Sequence, residues 1–237
     1  AAAAATPCVP LRRVPADWVA PAPPEAIAWD APAAAAEDEE LIAFDWSGQT
    51  LRDVGTVVHR VLRKIAQQGL DEWPEERLVD RLPAIRAQLQ EVGVPRAELD
   101  GAAQRAVAAL RQALSTERGR WVLSAHEEAV SEWELSGILR GRILHRKLDR
   151  TFVADGVRWI IDYKTGTHEG SGLEEFLDNE RERYRQQLEA YAELVSQLDS
   201  RPVRLGLYFP LINGWREWRW ERPATGRSGY SMENPQT

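Results

Sequence analysis

Residues 148–166 read LDRTFVADGVRWIIDYKTG, two runs rich in β-branched and aromatic residues that are separated by Asp155 and Gly156. An Asp-Gly pair in this position predicts a β-hairpin with a two-residue type I′ turn, because both central residues of that turn need positive φ. The turn fixes the pairing of the two strands. Counting outward places Asp149 directly opposite Asp162, and we expect their Cβ atoms to lie roughly 4.5–5.5 Å apart.

The two facing aspartates suggest a metal site. Like charges at facing positions repel, so strands selected for stability alone would avoid them. A hard divalent cation such as Mg²⁺ takes carboxylate oxygens as ligands and keeps several waters, which suits an open pair of aspartates. Because side chains alternate along a strand, Lys164 shares a face with Asp162. Metal-binding carboxylates beside an ammonium group suit phosphodiester hydrolysis, although ordinary polar residues facing solvent would show the same spacing.

The segments around the hairpin predict a mixed α/β or α+β fold with one main domain. Apolar residues recur at helical spacing before Gly119, and short runs of β-branched and aromatic residues follow it. The predicted helices are 52–68, 74–92, 96–116 and 173–198. The predicted strands are 121–123, 129–135, 138–144, 147–153, 157–164, 203–211 and 215–220.

Composition divides the chain into a leader, a domain and a tail. The first part is rich in Ala, Pro and acidic residues, which is typical of an extended linker. The predicted boundaries are 1–43 for the leader, 44–222 for the domain, with a helical part over 50–118 and a sheet-rich core over 119–222, and 223–237 for the tail.

Two negative observations narrow the protein class. No run of eighteen apolar residues is present, so we predict no membrane span and no membrane partner. The single cysteine, Cys8, excludes an internal disulfide and a four-thiolate iron–sulfur cluster, so we expect a cytoplasmic protein. The chain does not begin with Met, which we expect of a fragment of a longer protein or a processed product.

Three motifs, in this order, resemble those of the PD-(D/E)XK nucleases, specifically the RecB/AddA branch. They are GTVVH ending at His59, Asp149 followed by IDYKTG over 161–166, and YRQQLEAY over 184–191. The resemblance covers roughly residues 44–220. It implies a restriction-endonuclease-like core with a central mixed β-sheet flanked by helices and an additional N-terminal helical region. The branch often has a glycine where this chain has Arg146.

The resemblance also implies roles for individual residues. The metal ligands would be His59, Asp149, Asp162 and the backbone carbonyl of Tyr163, with Lys164 as the catalytic lysine. Gln187 and Tyr191 would line the site from the long helix, where their i, i+4 spacing puts them on one face. The remaining expected residue is an upstream glutamate, for which we select Glu132, with Glu127 and Glu128 as alternatives.

The expected partner is DNA, and the expected form is single-stranded DNA. Residues 51–237 are close to neutral overall, which is unusual for a free-standing DNA-binding protein. Cations nevertheless cluster near Asp149, and the DNA-binding candidates are Arg142, Arg146, Arg150 and Tyr184.

The resemblance implies a module at the C-terminal end of a UvrD/Rep-type helicase in double-strand-break repair and recombination. The resemblance also implies a second helicase–nuclease subunit as a partner, and Mg²⁺ or Mn²⁺ is the expected cofactor. The chain contains no GxxxxGK[ST] motif, so no bound nucleotide is expected in it. The alternatives are a non-catalytic DNA-guiding or subunit-docking module that retains the fold, and a stand-alone repair nuclease.

Overall fold

The computed structural model describes residues 17–19, 46–139, 142–166 and 172–222. The chain divides into two units, Ala1–Glu40 and Leu41–Thr237, and everything below concerns the second. Most of the predicted leader and the whole predicted tail lie outside the described residues. Among the described helices, none is both long and apolar enough to cross a membrane.

The centre of this unit is a five-stranded sheet. Its strands are β1 (Glu127–Leu139), β2 (Arg142–Ala154), β3 (Val157–Tyr163), β4 (Val203–Phe209) and β5 (Gly214–Trp220). They lie side by side in chain order, with β3 and β4 parallel and all other neighbours antiparallel. A mixed sheet flanked by helices confirms the predicted fold class and is consistent with a restriction-endonuclease-like fold.

The β2–β3 turn has the predicted form. Its central residues, Asp155 and Gly156, have φ values of +52° and +72°. Pairing continues outward as far as Arg150 opposite Ile161. The predicted register is therefore confirmed, and the two site aspartates occupy the next positions beyond the last pair.

The strands before the hairpin are longer and fewer than predicted. The predicted strands 129–135, 138–144 and 147–153 merge into β1 and β2, each thirteen residues long. Gly137 lies inside β1 and does not mark a turn. A Cβ at this position would lie only 2.7 Å from Cδ2 of Leu194, so glycine allows a helix to approach the strand closely.

The prediction of a strand over 121–123 is wrong, because these residues form the end of a short helix. The helices are α1 (Trp46–Gln68), α2 (Leu82–Glu91), α3 (Leu99–Ser115), α4 (Glu117–Leu123) and α5 (Leu173–Val195). Helix α4 begins after Thr116, whose side chain accepts a hydrogen bond from the backbone N–H of Gly119. Val122 and Leu123 are fully buried, so tertiary packing determines this helix more than local propensity does.

The predicted helix over 74–92 is also too long. Short 3₁₀ turns occupy Glu75–Arg77 and Val79–Arg81, and α2 begins only at Leu82. Pro83 lies in the first turn of α2, where its missing N–H costs no intrahelical hydrogen bond. The predicted helices 52–68, 96–116 and 173–198 correspond to α1, α3 and α5.

Two hydrophobic cores cover the two faces of the sheet. The larger core joins α1–α4 to one face through residues such as Trp159, Ile161 and Tyr163 of β3. The smaller core joins α5 to the opposite face and includes Ile160 of the same strand. Because side chains alternate along β3, Asp162 points toward α5. Helix α1 packs on the opposite face of the sheet, near the same end of β3.

Candidate metal centre

His59 reaches the open end of the β2–β3 hairpin from helix α1. Its Nδ1 atom lies 3.3 Å from Oδ1 of Asp149, and its ring makes an edge contact with Tyr163. One turn earlier, a Cβ at Gly55 would lie 2.6 Å from Oγ1 of Thr165. Glycine at this position therefore lets α1 approach the end of β3 closely enough for His59 to meet Asp149.

Asp149 and Glu132 complete a cluster of potential metal ligands. One ligand atom from each of His59, Glu132 and Asp149 lies within 4.8 Å of the other two. Asp149 also accepts a hydrogen bond from the backbone N–H of Tyr163, 2.8 Å away, which holds its carboxylate at the end of the sheet. The side chains are partly buried, so the cluster is accessible from solvent.

Asp162 lies beside this cluster with different partners. The residue is 5% exposed, and Oδ1 accepts a hydrogen bond of 3.3 Å from Nε2 of Gln187. Oδ2 forms an ion pair with Nζ of Lys164, which lies 2.9 Å away. A carboxylate has about four lone-pair sites, more than the contacts with Lys164 and Gln187 use, so Asp162 can also serve as a cation ligand.

Gln187 and Tyr191 lie together on α5, as the spacing predicted. Nε2 of Gln187 donates to the Tyr191 hydroxyl at 2.7 Å, in addition to its contact with Asp162. Nζ of Lys164 lies 3.6 Å from the centre of the Tyr184 ring, a cation–π contact. The DYK motif of β3 and the helical motif of α5 therefore form one continuous constellation.

The environment favours protonation at several of these groups. Burial raises the pKa of Asp162 to about 6, and the negative charge of Asp149 adds to this, while Lys164 acts in the opposite direction. For His59, burial disfavours the imidazolium, but its interactions with Asp149, Asp162 and Glu132 outweigh burial and raise the pKa. For Lys164, burial is likewise outweighed by the adjacent Asp162, so its pKa is raised and the ammonium form is favoured.

The three candidate glutamates have different surroundings. Glu132 is the one that joins His59 and Asp149. Glu128 instead pairs with Arg158 and Arg201. Glu127 is largely exposed and lies 3.8 Å from Arg201. The structure therefore favours Glu132 among the alternatives that the sequence left open.

Arg150 is placed differently from the prediction. It is 2% exposed, and its guanidinium donates to the carbonyl oxygens of Val122 and Ser124 and to Oγ of Ser131. Arg150 thus anchors the end of α4 to the sheet and presents no surface to DNA in this structure. Arg142 and Arg146 are exposed.

Lys147 belongs to the cluster of cations that the sequence places near Asp149, although it was not among the selected DNA-binding candidates. Its ammonium forms an ion pair with the carboxylate of Glu132. The contact follows from the β1–β2 register, in which Lys147 faces Glu134, two residues from Glu132. No Asn-Gly or Asp-Gly pair lies between these strands, so the register could not be counted from the sequence.

Comparison with known proteins agrees with the geometry. A family model described as the PD-(D/E)XK nuclease superfamily matches residues 37–225. The chain belongs to this superfamily, whose members are divalent-metal-dependent nucleases. The comparison with curated proteins gives no match.

Proposed function

We propose that this chain hydrolyses phosphodiester bonds of single-stranded DNA with Mg²⁺ or Mn²⁺ as cofactor. The observation that supports the proposal is the convergence of His59, Glu132 and Asp149 beside the Asp162–Lys164 pair. These groups come from α1, β1, β2 and the end of β3, so their meeting is a product of the whole fold.

The donor set fits a divalent cation. It supplies carboxylate oxygens and one imidazole nitrogen, which are ligands that divalent cations take in proteins. His59, Glu132, Asp149 and Asp162 would hold the ion, with the Tyr163 carbonyl as a further proposed ligand. Such an ion polarises a phosphate and lowers the pKa of a bound water.

The remaining residues orient the Asp162 carboxylate and stabilise negative charge on the substrate. Lys164 keeps a positive charge at neutral pH and can stabilise negative charge that develops on a phosphate oxygen. Its ammonium lies between Asp162 and the face of Tyr184. Gln187 connects Asp162 to Tyr191 and orients that carboxylate from α5.

The biological setting is proposed from the motif order alone. We propose a nuclease module attached to helicase domains that act in double-strand-break repair and recombination, with a second helicase–nuclease subunit as a further partner. A helicase that already holds DNA would explain why this chain has little net basic charge.

The test is cleavage of end-labelled single- and double-stranded DNA with Mg²⁺, Mn²⁺ or EDTA. Asp162→Asn and Lys164→Ala should each abolish metal-dependent cleavage, with melting temperatures within a few degrees of the wild type. Asp155→Asn is the matched control, because it makes the same change in the same hairpin at an exposed turn where Asn also tolerates positive φ. Cleavage by both site variants at the wild-type rate would refute the proposal.

A further inference from the structure

A small cavity lies between α1 and α2, and we call it the α1–α2 pocket. Its volume is about 70 Å³, several times the roughly 10–15 Å³ that one water needs. The rim is cationic and consists of Arg60 and Lys64 of α1 and of Arg81, which directly precedes α2. The base is apolar and includes Trp73 and Ile85, both almost fully buried. The pocket therefore has room for a small polar group against a rigid apolar surface.

Arg81 is held in a fixed orientation at this pocket. Its guanidinium carbon lies 3.8 Å from the centre of the Trp73 ring, and its Nη2 donates to the carbonyl oxygen of Glu72 at 3.2 Å. The indole is fixed in turn, since its Nε1 donates to Oε1 of Gln68 at 2.8 Å. A guanidinium has five N–H donors, so the contact with the carbonyl leaves most of them for a ligand. A preorganised planar group of this kind suits two-point binding of a phosphate.

The charge of the pocket is not compensated by the chain. No acidic residue is among the described residues that line it, and none of Arg60, Lys64 and Arg81 forms an ion pair within the described structure. Arg86 of the same helical region, by contrast, pairs with Asp100. Like charges around one cavity repel each other, and an anion between them converts this repulsion into attraction. In a chain whose net charge is −7, such a pocket matches an anionic ligand.

The pocket lies close to the metal centre along α1. Arg60 directly follows His59, and Lys64 lies about 7.5 Å beyond His59 along the helix axis, at about 1.5 Å per residue. Arg63, one turn after His59, lies on the same face of the helix as that residue. In all, α1 contains four basic residues and one acidic residue. At about 3.4 Å per nucleotide, a DNA strand at the metal centre reaches the pocket within a few nucleotides.

We propose that the α1–α2 pocket binds a phosphate group of the DNA strand that lies at the metal centre. Arg81 binds two phosphate oxygens through its N–H groups, and Arg60 and Lys64 supply further positive charge. Such a contact fixes the register of the strand near the phosphate that is cleaved. This inference rests on the proposed nuclease function. A free phosphate ion has the same chemistry, so the two sources of phosphate are tested separately.

DNA binding is measured without cleavage, by fluorescence anisotropy of a labelled single strand of about 12 nucleotides in EDTA. Arg60→Gln/Lys64→Gln should bind about tenfold more weakly than the wild type. The slope of log K against log salt should also be shallower by roughly 0.7, because one phosphate contact is lost. Both residues are exposed, so the melting temperature should stay within a few degrees of the wild type.

Arg96→Gln/Arg105→Gln is the matched control. It removes the same two positive charges at exposed positions of the helical region that do not line the pocket. Its affinity and salt slope should equal those of the wild type. Arg81→Lys is a second test variant, because it keeps the charge and loses the planar arrangement of donors, and it should also weaken DNA binding.

Calorimetric titration with inorganic phosphate tests the free ion. Phosphate should bind the wild type and the control, and binding should be lost in Arg60→Gln/Lys64→Gln. The same loss combined with wild-type affinity for DNA would assign the pocket to a free phosphate ion and overturn its role in binding DNA.

Cleavage with Mn²⁺ separates this inference from the proposed function. A wild type that does not cleave DNA, but whose DNA affinity depends on Arg60 and Lys64, would refute the nuclease function and support the pocket. Wild-type DNA affinity and salt slope in Arg60→Gln/Lys64→Gln would overturn the role of the pocket, whatever the cleavage activity. An equal loss of affinity in the control would do the same, because it would show a general effect of charge.

Discussion

Glu132 has an unusual backbone for a residue inside a strand. Its φ is +57°, a left-handed conformation that costs a residue with a Cβ roughly 1–2 kcal/mol. Its carboxylate nevertheless lies with His59 and Asp149. Strained conformations persist where the surrounding structure determines them, and they are common at functional sites. Glu128 also has positive φ, at an irregularity of the β1–β2 pairing, but its carboxylate pairs with arginines.

Replacing Glu132 with glycine should therefore increase the stability of the metal-free protein and decrease its affinity for metal. Glu132→Gly should raise the free energy of unfolding in EDTA, by up to about 1 kcal/mol, because glycine adopts this backbone without strain. The same variant should weaken Mn²⁺ binding in calorimetric titration, as should Glu132→Gln. Glu127→Gln is the control and should titrate like the wild type. Unchanged Mn²⁺ affinity in both Glu132 variants would remove Glu132 from the ligand set.

At the scale of elements, a buried arginine joins the start of β3 to two other segments. Arg158 is 5% exposed and pairs with Asp199, after the end of α5, and with Glu128 of β1. Burial disfavours the charged form of Asp199, but hydrogen bonds from the Arg201 backbone, from Arg158 and from the Arg201 side chain outweigh burial and lower its pKa below 3.8. This cluster connects the ends of elements that support the site.

Asp199→Asn should lower the free energy of unfolding by about 2 kcal/mol at pH 7, because buried Arg158 loses a charged acceptor. A lowered pKa in the folded state means that the contribution of Asp199 is complete above pH 3.8 and is lost as the pH falls through the folded value. Urea unfolding should therefore show a constant difference between variant and wild type from pH 7 to about pH 5, and a smaller one below about pH 3.8.

The control for this prediction is Asp178→Asn. Asp178 pairs with Arg216 at an exposed site where solvent screens the pair, so its loss should cost much less than the loss of Asp199. A difference for Asp199→Asn that stays the same at every pH would show that the carboxylate charge is not the cause.

At the scale of the whole molecule, the sheet lies between two packed layers, and both layers supply site residues. His59 comes from the helical layer and Gln187 from α5 on the other face. Three carboxylates, those of Glu132, Asp149 and Asp162, meet at the sheet end between them. Their mutual repulsion opposes folding when no cation is present, so metal binding and folding should be coupled.

We expect Mn²⁺ to raise the melting temperature and EDTA to reverse the change. At 100 times its dissociation constant, a ligand that binds only the folded state adds about 2.7 kcal/mol, or about 5–10 °C for a chain of this size. Differential scanning fluorimetry measures the shift. Asp149→Asn should lose most of it and Asp155→Asn none. An equal shift in all three proteins would mean that the ion binds elsewhere.

Much of the β2–β3 hairpin could be predicted from the sequence, because turn chemistry acts over two residues. Asp155 and Gly156 determine the register of β2 and β3, and the register determines that Asp149 and Asp162 end side by side. The helical spacing of apolar residues also predicted α1, α3 and α5. The i, i+4 spacing predicted that Gln187 and Tyr191 lie together.

Other features depend on contacts between residues distant in the chain. Burial decided that 121–123 is helical and that Arg150 points inward to the carbonyls of α4. Gly137 continues a strand because it pairs with Leu144 in a long two-stranded ladder, which its own residue type does not predict. The selection of Glu132 and its contact with Lys147 required the β1–β2 register, which no local turn signal specifies. Local turn propensity thus specifies the geometry of the hairpin at the site. Tertiary packing selects the distant side chains that complete the site, because burial is a property of the whole fold.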